Sequence, residues 1–276
     1  IMQLISEVYD MLKRGLQLNN DELHGIFKKW NEGELQSFLV EITSDIFLQN
    51  DTDTGKRLID MILDKAGSKG TGKWTSQDAM ELPAAVPVID MAVVMRIISG
   101  DRNERVKAAD MYRPIVKKLT ARKETVIKQL HDALYFATII CYAQGLNMLH
   151  KASKELAMDI PLQDVVKIWR GGCIIRSASL EKFYRAFRKD NQLSNILLDE
   201  GIAKLLKRKE KNTRSILKQY LQHNIPAAAL FSSLSYFDAY CSAVLPVNLI
   251  QAQRDYFGAH TYERTDRAGK FHTEWY

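Results

Sequence analysis

The stretch from Arg122 to Leu156 constrains this chain more than any other. It contains no proline and its apolar residues recur at helical spacing, so it reads as one long helix along which the rest of the chain must pack. The helical period continues on both sides. Ile1 to about Leu16 sets Met2, Ile5, Val8, Tyr9 and Leu12 on one stripe, and "NNDELHGIFKKW" follows with Asn20 or Asp21 as the expected N-cap. Further helices are expected at "GELQSFLVEITSDIF", "VIDMAVVMRIIS", "NERVKAADMY", "QDVVKIWR", "SLEKFYRAF", "EGIAKLLKRKEKNTRSILKQYLQ", "PAAALFSSLSYFDAYCSA" and "NLIQAQRDYF". "TSQDAMEL" opens with Thr75 and Asp78 in capping-box spacing, and Pro83 and Pro87 then bracket a turn. Only the tail reads as extended: "HTYERT" and "KFHTEWY" flank the turn "DRAG", a hairpin signal. Strand-helix alternation and a G-x-G-x-x-G opening a helix are both missing, so the chain does not carry its own dinucleotide-binding domain. The expected fold class is all-α and multihelical, with a short C-terminal β-hairpin.

An internal echo refines that architecture. "YDMLKRGLQLNNDELHGIFKKWNEGELQSF" resembles "LNMLHKASKELAMDIPLQDVVKIWRGGCIIRSASLEKF": Trp30 and Gly33 align with Trp169 and Gly172, and Met11-Leu12 with Met148-Leu149 after a short insertion. Two pseudo-repeated helical halves, at about 1–118 and 119–245, are expected around long antiparallel helices, with a tail over 246–276.

At 276 residues and 46% apolar composition, the chain can build a large core without staples. Its cysteines, Cys141, Cys173 and Cys241, are odd in number, far apart and free of metal-type spacing. They read as small core residues of a reducing, cytoplasmic compartment, and no metal is expected. The net charge of +6 suits an anionic small molecule as well as a nucleic acid. The densest basic run, "KLLKRKEKNTR" from Lys204 to Arg214, lacks interleaved aromatics and reads as a solvated helix face, so no nucleic-acid partner is expected. No apolar run reaches bilayer length and no signal peptide heads the chain, so no membrane partner is expected either. The chain opens at Ile1 in mid-helix, without a cap, which suggests a missing upstream part.

Chemistry concentrates at a few places. "AGSKGTGKWTS" holds the G-x-x-x-x-G-K skeleton of a nucleotide loop at Gly67 to Lys73, but Trp74 stands where Ser or Thr would hold Mg²⁺. Its glycines expose backbone N–H groups, its lysines supply charge and Thr71 a hydroxyl, so it reads as an anion site, with Trp74 anchoring the loop to a core. The bland alternative is a flexible loop with surface lysines. Arg96 lies in the almost wholly apolar "MAVVMRIIS" and needs either a carboxylate or an anionic ligand. Arg254 and His260 occupy "QRDYFGAHTYE", where Gly258 ends a helix. A helix-terminal arginine with a satisfied histidine fits that spacing as well as an anion site does.

The segments "ILDKAGSKGTGKWTSQDA", "KIWRGGCIIRS", "LIQAQRDYFGAHTYERTD" and "FHTEW" closely resemble the 6-phosphogluconate dehydrogenase family, decarboxylating enzymes of the pentose phosphate pathway. The resemblance runs through essentially the whole chain. It implies a helical substrate-binding and dimerisation domain, preceded in the family by a Rossmann-type domain that binds NADP and is absent here. It implies that Lys69 and Thr71 contact the sugar phosphate of 6-phosphogluconate and that Arg96 binds the phosphate. Arg254 and His260 would reach into the partner subunit's site, making a homodimer obligatory. The family's general base lysine and general acid glutamate would precede Ile1, so no catalytic residue is assigned here and the isolated chain is expected to be inactive. The resemblance gives Lys73 no role. "ELPAAVP" and "SGDRNERV" depart from the family's usual loops without touching the named contacts. A non-catalytic scaffold or regulatory homologue of the same fold is the alternative, and a P-loop phosphohydrolase a distant third.

Overall fold

The computed structural model describes residues 1–275, and Tyr276, the last residue of the expected second strand, lies outside them. Among the described residues, twelve α-helices follow one another: α1 (Met2–Asp10), α2 (Asn20–Asn31), α3 (Phe38–Ile46), α4 (Thr71–Glu81), α5 (Pro87–Gly100), α6 (Arg102–Tyr112), α7 (Lys123–Glu155), α8 (Leu162–Gly172), α9 (Ser179–Lys189), α10 (Glu200–Gln222), α11 (Ala228–Tyr240) and α12 (Val247–Gly258). The chain divides into two compact units, Ile1–Leu234 and the part from Ser235 onward, with the division inside α11.

The first unit is built on α7, whose middle from Ala133 to Ile140 is buried on every side. An all-round apolar stretch of this kind has to be a central helix. Helix α10 runs antiparallel to it: Gln129 Nε2 donates to Ser215 Oγ at 3.0 Å, and Asn212 Nδ2 to Asp132 Oδ2 at 2.6 Å. Ile202, Leu205, Leu206, Ile216, Leu217 and Tyr220 form the buried face of α10, while Lys204, Lys207 and Arg208 of the basic run face solvent as expected. Lys209 departs from that pattern: it turns inward to Asp132 (2.8 Å) and Glu34 (2.5 Å).

Helices α2 and α3 pack as a pair, as do α8 and α9. A single antiparallel bridge joins the pairs, with Phe38 N–H donating to Arg176 O (3.0 Å) and Ala178 N–H to Gln36 O (2.9 Å). Helix α1 ends in a wide π-turn over Met11–Gly15, and its buried stripe is Leu4, Ile5, Val8, Met11 and Leu12. Of the expected stripe, Met2, the first residue of α1, is 52% exposed. Buried Glu7 accepts the N–H groups of Ala229 and Leu230, each at 2.9 Å, and so caps the start of α11. Burial pushes its carboxyl up, and those hydrogen bonds partly offset the effect.

Several local expectations need correction. The cap of α2 is Asn19, in a reciprocal capping box with Glu22, whereas Asn20 points inward to Asp60 at 2.7 Å. Thr75 is inside α4, its hydroxyl bonded to Thr71 O at 2.9 Å, because the helix starts at Thr71 within the glycine loop. Cys141 and Cys173 are half-buried, but Cys241 is exposed and is no core residue. In the tail, among the described residues, β pairing amounts to one antiparallel bridge, Tyr262 to Phe271, with N–H···O distances of 2.8 and 2.9 Å.

Candidate functional site

Two glycines shape the "GTGKW" turn. Gly70 has φ of +100° and opens α4 as its N-cap, a conformation that other residues avoid. A Cβ on Gly72 would lie 3.1 Å from Val93 Cγ2, so the loop approaches α5 closely at that point. With no side-chain cap, the first-turn N–H groups of Thr71, Gly72 and Lys73 have no acceptor inside the helix.

Three contacts fix the register of the loop along α5. Ser76 Oγ donates to Asp90 Oδ1 (2.7 Å), Gly72 abuts Val93, and Ala66 N–H donates to Ser99 Oγ (3.0 Å). The loop and α4 therefore run antiparallel to α5. By that register Arg96, between Val93 and Ser99, stands at the position along α5 that corresponds to Lys69 to Thr71. The base of the loop is held by Asp64, which pairs with Arg102 and Arg105 at 3.0 Å each. Those two guanidiniums, Arg102 first, hold the Asp64 carboxyl below the usual range. The lead-in "KRLIDMILDK" is accordingly a short 3₁₀ turn, Leu58–Asp60, followed by irregular chain.

Arg96 is half-buried, and among the described residues no carboxylate lies within ion-pair distance of it. Asp64 is taken by Arg102 and Arg105, and Asp90 by Ser76. Of the two needs set out for an arginine in this helix, the carboxylate is not met. Trp74 corrects another expectation. It is 62% exposed and lies over Gly70, with ring atoms 3.1 Å from where a Cβ would stand, so it shields the turn and anchors nothing in the core.

Arg254 and His260 belong to the second unit, at the end of α12. Arg254 is exposed and donates to Gln251 Oε1 at 3.3 Å. His260 is exposed and, among the described residues, makes no hydrogen bond; its ring meets the Phe257 ring edge-on at 5.9 Å. The satisfied-histidine reading thus has no partner to support it. Between these two residues lies Asp255, fully buried and invisible to pattern reading. Burial alone would raise its carboxyl, but donors from His272, Trp275, Thr273 and Thr261 outweigh burial and hold it at about 2.

The remaining polar groupings of the first unit lie apart from these residues. An open cleft of about 560 Å³ at the α7–α8 turn, bordered by His150, Lys154 and Asp159, contains none of the five predicted site residues. Glu34, His131 and Asp132 bring ligand-type atoms within 4.8 Å of one another, but the Lys209 ammonium already fills the cationic position among them.

The family model described as "6-phosphogluconate dehydrogenase, C-terminal domain" matches residues 1–275. The chain belongs to this family. It is 49% identical over 275 residues to the NADP(+)-dependent, decarboxylating 6-phosphogluconate dehydrogenase of Bacillus subtilis, covering 99% of this chain and 59% of that protein. It is 48% identical over 275 residues to the decarboxylating enzyme of Lactococcus lactis subsp. lactis, covering 100% of this chain and 58% of that one. A solved 6-phosphogluconate dehydrogenase of Plasmodium falciparum, described in its apo form and in complexes with NADP+ and with 6-phosphogluconate, superposes with a TM-score of 0.96 at 42% identity, covering 99% of this chain and 59% of that one. The chain thus spans somewhat under three-fifths of the length of the relatives it matches. The helical fold expected from the resemblance stands, and no helix of the described residues is long and apolar enough to cross a membrane.

Proposed function

We infer that this chain is the substrate-phosphate-binding and dimerising part of an enzyme that oxidises and decarboxylates 6-phosphogluconate to ribulose 5-phosphate and CO₂. One observation carries the reading: half-buried Arg96 lacks a carboxylate partner and lies alongside a glycine turn in which the N–H groups of Thr71, Gly72 and Lys73 have no acceptor inside the helix. A phosphate dianion satisfies both needs, through charge-assisted hydrogen bonds from the guanidinium and through the helix start. Lys69 adds charge and Thr71 a hydroxyl. In this reading Arg254 and His260 complete the site of the partner subunit. The exposed apolar side chains of α5 (Val94, Ile97, Ile98) and of α12 (Leu249, Ile250, Phe257) support a homodimer, because a monomer seldom leaves so many uncovered.

NADP+, held mainly by a domain outside this chain, would supply the acceptor for the hydride that leaves C3. The 3-keto acid then loses CO₂, and the enediol is protonated. The cations of this chain fix a polyanionic substrate so that C3 is presented for that transfer. The lysine base and glutamate acid also lie outside it, so the isolated chain binds substrate without turning it over. The reading includes a cytoplasmic setting and duplicated halves, 1–118 and 119–245. The bridge between the α2–α3 and α8–α9 pairs, at matching places in the two halves, supports the duplication.

Calorimetry with 6-phosphogluconate on the chain and on Arg96→Ala tests the proposal. Heat that is lost in Arg96→Ala supports it. No heat in either points instead to a scaffold or regulatory homologue. NADP+-dependent oxidation of 6-phosphogluconate by a chain of only these residues would refute the assigned division of labour.

A further inference from the structure

Asp255 has 0% exposure, although Arg254 and Tyr256 on either side of it are exposed. Its Oδ1 accepts the Thr261 N–H (3.0 Å) and faces His272 Nδ1 (2.9 Å). Its Oδ2 accepts the Thr273 N–H (3.1 Å) and the Trp275 indole N–H (2.9 Å). All four groups come from beyond His260, so one carboxylate folds the tail back onto α12. The backbone carbonyl of Asp255 takes the Ala259 N–H as well, at 2.9 Å.

These bonds clamp the two residues that flank His260. Ala259 and Thr261 have φ of 48° and 59°, left-handed values that residues with a Cβ avoid. Such backbone persists only where its surroundings over-determine it, and it collects at functional sites. Gln251 reinforces the clamp: its Nε2 donates to Thr261 O (2.5 Å), and its Oε1 accepts from Arg254 (3.3 Å). A Cβ on Gly258 would stand 2.9 Å from His260 Nε2, so the imidazole lies close over that backbone. The result is an exposed arginine and an exposed histidine held on a rigid turn by a buried anion that is itself sealed from solvent.

We propose that Asp255 is a positioning residue, whose buried carboxylate presets the turn that presents Arg254 and His260 to the anionic substrate. The inference rests on the reading above, in which those two residues bind 6-phosphogluconate. Asp255 touches no substrate, and its effect passes through the pair it holds. Preset geometry lowers the ordering cost of binding, so its loss appears in substrate affinity.

The test is steady-state kinetics of the complete enzyme that contains this chain. An asparagine at 255 offers one acceptor oxygen and turns an NH₂ toward the remaining donors. Asp255→Asn should raise KM for 6-phosphogluconate about tenfold, with kcat changed less than about threefold and KM for NADP+ unchanged. In an Arg254→Ala/His260→Ala background the same change should raise KM no further, as expected for groups acting as one unit. Trp275→Phe removes one donor and keeps the charge, so it gives a smaller rise in KM and serves if Asp255→Asn does not fold. A rise in KM that persists in full in the double-alanine background, or a fall in kcat without a change in KM, makes Asp255 a mere staple of the tail and overturns the inference. So does a wild-type KM in Asp255→Asn, or in Trp275→Phe if the asparagine variant is misfolded. If Arg254→Ala/His260→Ala leaves KM unchanged, the reading of the site fails and the inference with it. If that pair raises KM while the Asp255 and Trp275 variants do not, the inference alone fails.

Discussion

Substituting Lys209 by methionine removes the ammonium that sits 2.8 Å from Asp132 Oδ1 and 2.5 Å from Glu34 Oε2, while keeping the length of the side chain and its apolar stem. The two lost contacts are unequal. The Glu34 side chain is 42% exposed and rehydrates, so its share is at most about 1 kcal/mol. The Asp132 side chain is 8% exposed and cannot rehydrate. Removing one partner of a buried pair costs about 3–5 kcal/mol, because a charge is left uncompensated. The Asn212 amide at 2.6 Å and the His131 ring at 3.3 Å still solvate the carboxylate, which favours the low end, about 3 kcal/mol. For a chain of this size that is a fall of roughly 6–12 °C in melting temperature, read by helical circular dichroism. Lys209→Met/Asp132→Asn leaves no buried charge and should recover more than half of the loss. The pH dependence supplies a second arm. Burial alone would raise the Asp132 carboxyl, but hydrogen bonds from His131, Lys209 and Asn212, with the Lys209 charge, hold it well below the usual range. A depressed carboxyl stabilises the fold above its unfolded pKa of about 3.9 and loses that stabilisation as pH falls toward the folded value. The gap between wild type and Lys209→Met should therefore narrow below about pH 4. A single variant as stable as the double one, or a gap that widens in acid, would refute the reasoning.

Gly70→Ala places a Cβ at φ of +100° and 3.1 Å from the Trp74 ring. It should cost the turn about 1–2 kcal/mol and, on the proposed function, weaken the 6-phosphogluconate binding read by calorimetry, while helical content by circular dichroism stays at the wild-type level. Asp255, held at about 2, should keep the tail in place above pH 4, and the indole N–H resonance of Trp275 should lose its folded position as pH falls from about 4 through 2. Glu7→Ala strands two buried N–H groups at the start of α11, and urea unfolding should show a loss of about 2–3 kcal/mol.

The long helix expected from Arg122 to Leu156 is α7, Lys123–Glu155, within one residue at each end. It was legible because a proline-free run of apolar residues at helical spacing is a local property of the chain. The same logic located α10 and set most of its lysines on the solvent side. It missed the start of α4, since a left-handed Gly70 caps that helix five residues before the Thr75 that resembles a cap. Lys209 looked like one more surface lysine because its partners, Glu34 and Asp132, lie 175 and 77 positions away.

The sequence by itself determined the helical class, because periodicity is written in consecutive residues, and its resemblance to a family singled out the five candidate residues. Tertiary structure decided what surrounds those residues. Only the antiparallel register of the glycine loop along α5 sets Lys69 and Thr71 level with Arg96, and only the packed fold leaves that guanidinium without a carboxylate. Only the folding back of the tail turns Asp255 into the buried anion that holds the His260 turn. Both outcomes depend on which distant groups meet once the core is packed, and no local pattern encodes that.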